Sequence, residues 1–336
     1  MTAAEPLPLE RLSRHLVGVG ICIEGAVATP LGDGHSNLTY LIRDSHTQMV
    51  LRRPPHGVLA PSTHDVLREA KILTRLHGMA RVPRVLHLCA DASVIGAPFY
   101  LMDYVPGIVL FDELPGEWHQ AAAGRAVANE FVDALVDVHG IDWAAADLGD
   151  IGRHTGYLER QLRRFKGLAP AEGASAAGLL GELHEWLALR MPESPAPTVV
   201  HGDYRLGNVL FAPDEPIRLA VVLDWEMATL GDPLADLGFV TAMWSSPLGR
   251  FDFNPVTQHA SFPSAEELAK RYARKTGRDL SPLPWYQVFA LWRLAVLVYG
   301  ATRRMRSGPV DGDPPLVAFP DGVEDLAARA WDLSRM

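Results

Sequence analysis

Apolar residues in the first third of the chain fall in short runs, and in the remainder they fall in long helical stripes. Glu24 to Leu31, Asn37 to Arg43, Gln48 to Arg53, Arg84 to Ala90 and Pro98 to Tyr104 carry β-branched, aromatic or Leu residues and are bounded by Gly, Pro or Asp, the pattern of strands. One helix interrupts them. Val66, Ala70, Leu73 and His77 fall on one stripe with Ile72 and Leu76 beside it, Ser62 or Thr63 can cap it, and Gly78 ends it. The expected order is three strands, one helix, two strands.

After Val105-Pro106-Gly107 the texture changes. Val127, Phe131, Leu135 and Val138 share one face of an amphipathic helix that stops near His139-Gly140, and Tyr157 to Lys166, Ala176 to Leu189, Ala265 to Thr276, Trp285 to Met305 and Val323 to Ser334 read the same way. Val199-Val200, Val209 to Phe211 and Leu219 to Leu223 are short β pieces between them. The apolar tract Val288 to Ala301 is interrupted by Arg293 and is too short to span a bilayer, so it reads as a buried core helix. The fold class is therefore α+β: a small β-rich lobe over residues 1–105, a short hinge, and a larger, mainly helical lobe over residues 106–336.

Charge narrows the partners. A formal net charge of -9 on 336 residues argues against a protein that grips nucleic acid or anionic membrane, both of which need Lys and Arg to neutralise phosphates. The excess is local: Asp103, Asp112, Glu113, Glu117, Glu130, Asp133, Asp137, Asp142, Asp147 and Asp150 face Arg125 alone in residues 101–150, so this segment reads either as a solvated helix face or as a wall that attracts a cation. Cys22 and Cys89 make no C-x-x-C spacing and no cysteine framework, so neither a disulfide scaffold nor a zinc site is indicated. With no basic flank or apolar core in Met1 to Glu10, a soluble protein of the reducing cytoplasm is expected.

The chemistry concentrates in His201-Gly202-Asp203-Tyr204-Arg205-Leu206-Gly207-Asn208, after one short apolar strand, and in Leu223-Asp224-Trp225-Glu226, at the end of another. Phosphoryl transfer from a nucleotide needs one carboxylate to accept or orient the attacking hydroxyl, and further oxygens to hold Mg²⁺ against the phosphates. Asp203 suits the first role, and Asn208 and Asp224 the second. An H-x-D-x-x-x-x-N match arises by chance in roughly 0.01 chains of this composition, so the spacing carries weight. Arg205 can stabilise charge on the transferring phosphoryl group or pair with a nearby acid.

These residues resemble the aminoglycoside phosphotransferase-like kinase superfamily, and the resemblance covers nearly the whole chain. His201-x-Asp203-x-x-x-x-Asn208 is similar to its catalytic loop and Asp224 to its Mg²⁺-binding Asp. Leu230-Gly231-Asp232-Pro233-Leu234-Ala235-Asp236 is similar to the segment that follows, in which Asp236 would buttress the loop. The nearest branch is the kinase-like domain fused to acyl-CoA dehydrogenases and its bacterial stand-alone relatives, on Gly34-His35-Ser36-Asn37-Leu38-Thr39-Tyr40, Val50-Leu51-Arg52-Arg53-Pro54-Pro55 and Val222 to Glu226.

The resemblance implies a bilobal protein-kinase-like fold with the active site between the lobes, and a phosphotransferase using ATP (or GTP) and Mg²⁺ on a small-molecule hydroxyl. Nucleotide contacts would come from Gly32, Gly34, Ser36 and Asn37 in a glycine-rich loop, from Arg52 paired with Glu69, and from Met102, Asp103 and Tyr104 at the hinge. Arg52, with Arg53 beside it, stands where most of the superfamily has Lys; Arg keeps the charge but is not a neutral exchange. Gly202 and Trp225-Glu226 depart from the Arg and Phe-Gly of protein kinases, which argues against control by loop phosphorylation. Glu226 is either a further metal carboxylate or an exposed side chain.

Three alternatives remain at this level. The acceptor is a hydroxyacyl-CoA-type metabolite or an aminoglycoside; the chain is a non-catalytic nucleotide-binding module; or it is a metallophosphatase, which lacks the His-rich ligand set such sites use. Basic sets that would suit CoA phosphates are Arg160, Arg163, Arg164 and Lys166, and Arg303, Arg304 and Arg306, each of which also reads as a solvated face.

Overall fold

The computed structural model describes residues 7–31, 37–55, 65–118, 122–170, 176–245, 254–306 and 322–336. Gly32, Gly34 and Ser36, the expected caps Ser62 and Thr63, and the side chains of Arg304 and Arg306 lie outside the described residues. The chain divides into two units. One runs from the first described residues to Gly78 and from Val82 to Pro106; the other takes Met79–Arg81 and the described residues from Gly107 onward.

In the first unit, five short strands form one antiparallel sheet: β1 (Val27–Pro30), β2 (Leu38–Arg43), β3 (Gln48–Arg53), β4 (Val85–Cys89) and β5 (Phe99–Asp103), in the order β1-β2-β3-β5-β4. Side chains alternate across it, as the period of two requires. Met49 and Leu51 of β3 join Ile42, Phe99 and Leu101 in a core cluster, while Arg52 points to the other face. That cluster is closed by a helix the sequence pattern did not predict, α1 (Leu9–Val17), which buries Leu12 and Leu16 completely. Leu9, Leu12 and Leu16 fall at i, i+3 and i+7 on one helical face, so the signal for this helix is present in the sequence, short as its nine residues are. Instead of one helix, this unit therefore has two among its described residues. The expected helix is α2 (Val66–Leu76); its cap is Asp65, whose carboxylate accepts the Arg68 N–H. It packs on β4 and β5.

The second unit is built on helices α3 (Ala123–His139), α4 (Tyr157–Lys166), α5 (Ala177–Leu189), α6 (Pro233–Ala242), α7 (Ala265–Thr276), α8 (Leu283–Arg306) and α9 (Gly322–Leu333). Two two-stranded antiparallel sheets carry the loops of interest: β6 (Thr198–Val200) with β9 (Thr229–Gly231), and β7 (Val209–Phe211) with β8 (Leu219–Val222). The pattern missed α6. All ten of its residues are buried, so it shows no polar face and hence no amphipathic period. It packs along α8, which packs in turn along α9. Among the described residues no helix is long and apolar enough to cross a membrane.

Candidate active site

The loop after β6 is fixed by its backbone. Asp236, on α6, accepts the His201 N–H at 2.7 Å and the Gly202 N–H at 2.9 Å, one on each carboxylate oxygen. Arg293 of α8 donates to the Gly202 carbonyl at 2.7 Å. The Asp203 N–H donates to His201 Nδ1 at 3.2 Å, which leaves Nε2–H of that ring to donate to the Leu223 carbonyl at 2.8 Å. His201 is thereby the neutral Nε2–H tautomer and ties the two functional loops together. Trp225 stands edge-on to it, with ring centroids 4.9 Å apart, and donates its indole N–H to Val222. Gly202 has φ +84°, and a Cβ there would lie 2.9 Å from the Met227 carbonyl oxygen, so this position admits only glycine without strain.

Asp236 is itself held from behind. Burial, the largest influence, pushes its carboxyl up, but His139 Nε2 at 3.2 Å and the donors around His201 outweigh it and hold the group below its ordinary value. His139 is oriented by the Tyr272 hydroxyl at 2.7 Å from Nδ1. At the start of α6, Asp232 accepts the Leu234 N–H as N-cap and the Tyr286 hydroxyl at 2.6 Å.

On this frame the side chains of the loop from Asp203 to Asn208 converge. Asn208 Nδ2 donates to both the backbone oxygen and Oδ2 of Asp203, each at 2.8 Å, and Arg205 Nε lies 3.4 Å from the same Oδ2. The Arg205 guanidinium lies over Gly207, where a Cβ would meet Nη1 at 2.5 Å. Asp203 and Arg205 are each about a third exposed and Asn208 is buried. β7 and β8 pair Val209 with Val222, and the Leu223 N–H continues the ladder to the Asn208 carbonyl at 2.8 Å, which brings Asp224 alongside Asn208. Asp224 has φ +64°, an uncommon backbone for a non-glycine residue and one that concentrates at functional sites. With the Asn208 amide nitrogen committed to Asp203, its oxygen would be the atom left for a cation. That oxygen and the Asp224 carboxylate are hard donors of the kind Mg²⁺ takes, so the residues fit the metal. Glu226, in the turn Trp225–Met227, is half-buried.

In the first unit, strand alternation separates the two adjacent arginines. Arg52 forms an ion pair with Glu69 of α2 at 3.1 Å, the pair 12% and 1% exposed, whereas Arg53 turns to the α1 side and donates to the Ile95 carbonyl. Arg52 and not Arg53 is thus the residue joined to the helix. Asn37, buried, opens β2. Met102 is buried on β5, and Asp103 gives its N–H to the Arg84 carbonyl and its carboxylate to the Arg84 side chain, leaving Tyr104 half-buried at the strand's exit.

Four of the ten acids of the acidic segment pair with cations from outside it, while Arg125 pairs out to Glu267. Arg81 meets Glu130 at 2.6 Å and Asp137 at 3.7 Å, Asp133 takes both Arg271 (2.7 Å) and Lys275 (2.9 Å), and Asp103 takes Arg84 (3.1 Å). These cations come from elsewhere in the chain, so charge counting within residues 101–150 could not find them. Arg163, Arg164 and Lys166 of α4 are exposed. Sequence reasoning also left Arg293 without a role, although a lone arginine inside an apolar helix is itself a signal that a buried acceptor waits for it.

A five-stranded antiparallel unit with one ion-paired helix, followed by a helical unit carrying this loop, defines a protein-kinase-like fold. The chain belongs to the phosphotransferase enzyme family, whose pattern matches residues 27–286. It is 34% identical over 342 residues to mouse (Mus musculus) acyl-CoA dehydrogenase family member 10, covering 98% of this chain and 31% of that protein. The chain spans less than half the length of the curated relatives it matches. A crystal structure from Ralstonia eutropha, provisionally assigned as an aminoglycoside phosphotransferase, superposes with a TM-score of 0.81 at 29% identity, covering 98% of each chain. The fold is also that of a thermostable mutant of aminoglycoside phosphotransferase APH(4)-Ia in complex with AMP-PNP and hygromycin B, with a TM-score of 0.63 at 14% identity over 96% of this chain and 97% of that one.

Proposed function

We propose that the protein moves the γ-phosphoryl group of ATP, or of GTP, onto a hydroxyl of a small metabolite. The observation that carries this is the Asn208 amide, whose nitrogen holds the backbone oxygen and Oδ2 of Asp203 by two hydrogen bonds of 2.8 Å, which leaves its oxygen to serve as a metal donor. In the reaction the acceptor oxygen bonds to the γ-phosphorus, the bond to the β-phosphate oxygen breaks, the nucleoside diphosphate leaves, and the hydroxyl proton passes to Asp203. A fixed carboxylate of this kind contributes about 10²- to 10⁴-fold. Mg²⁺ held by Asn208 and Asp224 supplies positive charge against the phosphate oxygens when bound. Arg205 adds charge beside Asp203, and Arg52, steadied by Glu69, offers a planar guanidinium to the remaining phosphates. The backbone from Met102 to Tyr104 takes the base edge, and since the Asp103 N–H is already spent on Arg84, the donor there must come from a neighbouring residue.

For the acceptor we favour a hydroxyacyl-CoA-type metabolite over an aminoglycoside. The ion pairs along α3 weaken the argument for a polycation, the relatives at 34% and 31% identity are named for acyl-CoA chemistry, and exposed Arg163, Arg164 and Lys166 suit CoA phosphates. A coupled ADP-release screen of 4-hydroxyacyl-CoAs, amino alcohols and aminoglycosides tests it. Turnover with the CoA esters is expected; turnover confined to aminoglycosides would reverse the preference. Nucleotide binding with no transfer to any acceptor would favour a binding module, a reading that Arg52 in place of Lys keeps alive.

A further inference from the structure

Cys89 and two histidines form a cluster that lies outside the phosphoryl-transfer residues. His87 and Cys89, two residues apart on β4, point to the same side of the sheet, and that side is the one α1 covers, bringing His15 to them across 72 residues of sequence. His15 Nε2 and His87 Nε2 are 3.0 Å apart, and one ring nitrogen of each histidine and the Cys89 sulfur all lie within 4.8 Å of one another. Phe99 stands beside both rings, at 6.1 and 6.2 Å between centroids. The two histidines are half-buried and the cysteine buried.

These three atoms are a ligand set for a borderline-soft cation. Two nitrogens bound tetrahedrally to zinc at about 2.0–2.1 Å sit about 3.3 Å apart, and a nitrogen and a thiolate sulfur about 3.6 Å apart. The imidazoles already stand at the first spacing, and the sulfur needs to move in by about an ångström to reach the second. A shared proton between the rings accounts for their closeness alone and does not involve the Cys89 thiol, which lies in the core cluster, donates to the Asp91 carbonyl at 3.7 Å and completes the triangle. Burial, with His15 beside it, holds the His87 imidazole below its ordinary value, so it offers a lone pair at neutral pH, while burial raises the Cys89 thiol.

We propose that His15, His87 and Cys89 bind one zinc-class divalent cation, with water in the fourth position, and that the cation pins α1 to the edge strand β4. Binding releases the Cys89 proton to solvent and leaves both imidazoles neutral. Nitrogen and thiolate donors favour zinc over magnesium or calcium, so this site and the oxygen site at Asn208 and Asp224 select different ions.

Titration of the metal-free full-length protein with Co²⁺ as a spectroscopic probe tests this. One equivalent should produce intense tetrahedral ligand-field bands with a thiolate-to-cobalt charge-transfer band, Zn²⁺ should bleach both, and the melting temperature should rise until one equivalent of Zn²⁺ is bound. Cys89→Ser should lose the charge-transfer band, and His15→Ala, on a half-exposed helix position that leaves the core intact, should lose stoichiometric binding. Weak octahedral bands only, or a charge-transfer band that survives in Cys89→Ser, would show that the pair is an imidazole hydrogen bond and that no such site exists.

Discussion

Gly202 shows how little freedom the site leaves a single residue. Its N–H, its carbonyl and its left-handed φ are all committed, so Gly202→Ala should cost about 1–3 kcal/mol by urea unfolding and displace Asp203 enough to depress turnover. Asp236 gives a prediction in pH. Its carboxyl is held below the ordinary value of 3.8 in the folded chain, so the stability it contributes is fully present above that value and lost as pH falls through the lower, folded one. The margin in urea midpoint between wild type and Asp236→Asn should therefore be widest at neutral pH and shrink below about pH 4; a margin independent of pH would mean the carboxylate's charge does not matter. Glu69 is 1% exposed beneath Arg52, and its replacement by Ala strands a buried cation, at about 3–5 kcal/mol of stability. The same variant should weaken nucleotide binding, measured by calorimetry, if Arg52 reaches the phosphates.

Elements with a dry face and a wet face were legible from their period, and the long apolar α8 from its length alone, but a short helix buried all round was not. α3, α4 and α7 show their period in the sequence because solvent covers one side of each; α7 even displays its start, where Ser264 accepts the Glu267 N–H and the Glu267 carboxylate accepts the Ser264 N–H. Ser264→Ala should cost about 1 kcal/mol, read from thermal or urea unfolding, with activity unchanged. α6 is buried on every side and shows no period, whereas α1 carries one in Leu9, Leu12 and Leu16 that is short and easily passed over. The same logic covers the arginines at 52 and 53. Sequence places them side by side, and only the strand's alternation sends one to Glu69 and the other to Ile95.

At the scale of the whole molecule, local spacing and long-range convergence divide what could be read. The Asp203 to Asn208 loop and Asp224 stood out because each chemistry lies within a few residues, and their hydrogen bonds follow from that spacing. Arg293, His139 and Tyr272 brace the loop from 62 to 92 residues away from His201 in sequence, and the ion pairs of α3 span from 49 to more than 130 residues, so no motif announces them. The net charge of -9 conveys neither fact. The most direct test of the account is single-turnover ADP formation, with Mg²⁺ and an accepted hydroxyl substrate, by wild type and Asp203→Asn at matched folding, checked by circular dichroism. Loss of about 10²- to 10⁴-fold in rate with nucleotide affinity retained is the predicted result. An unchanged rate in Asp203→Asn would contradict the assignment of Asp203 as the proton acceptor, and with it the proposed site.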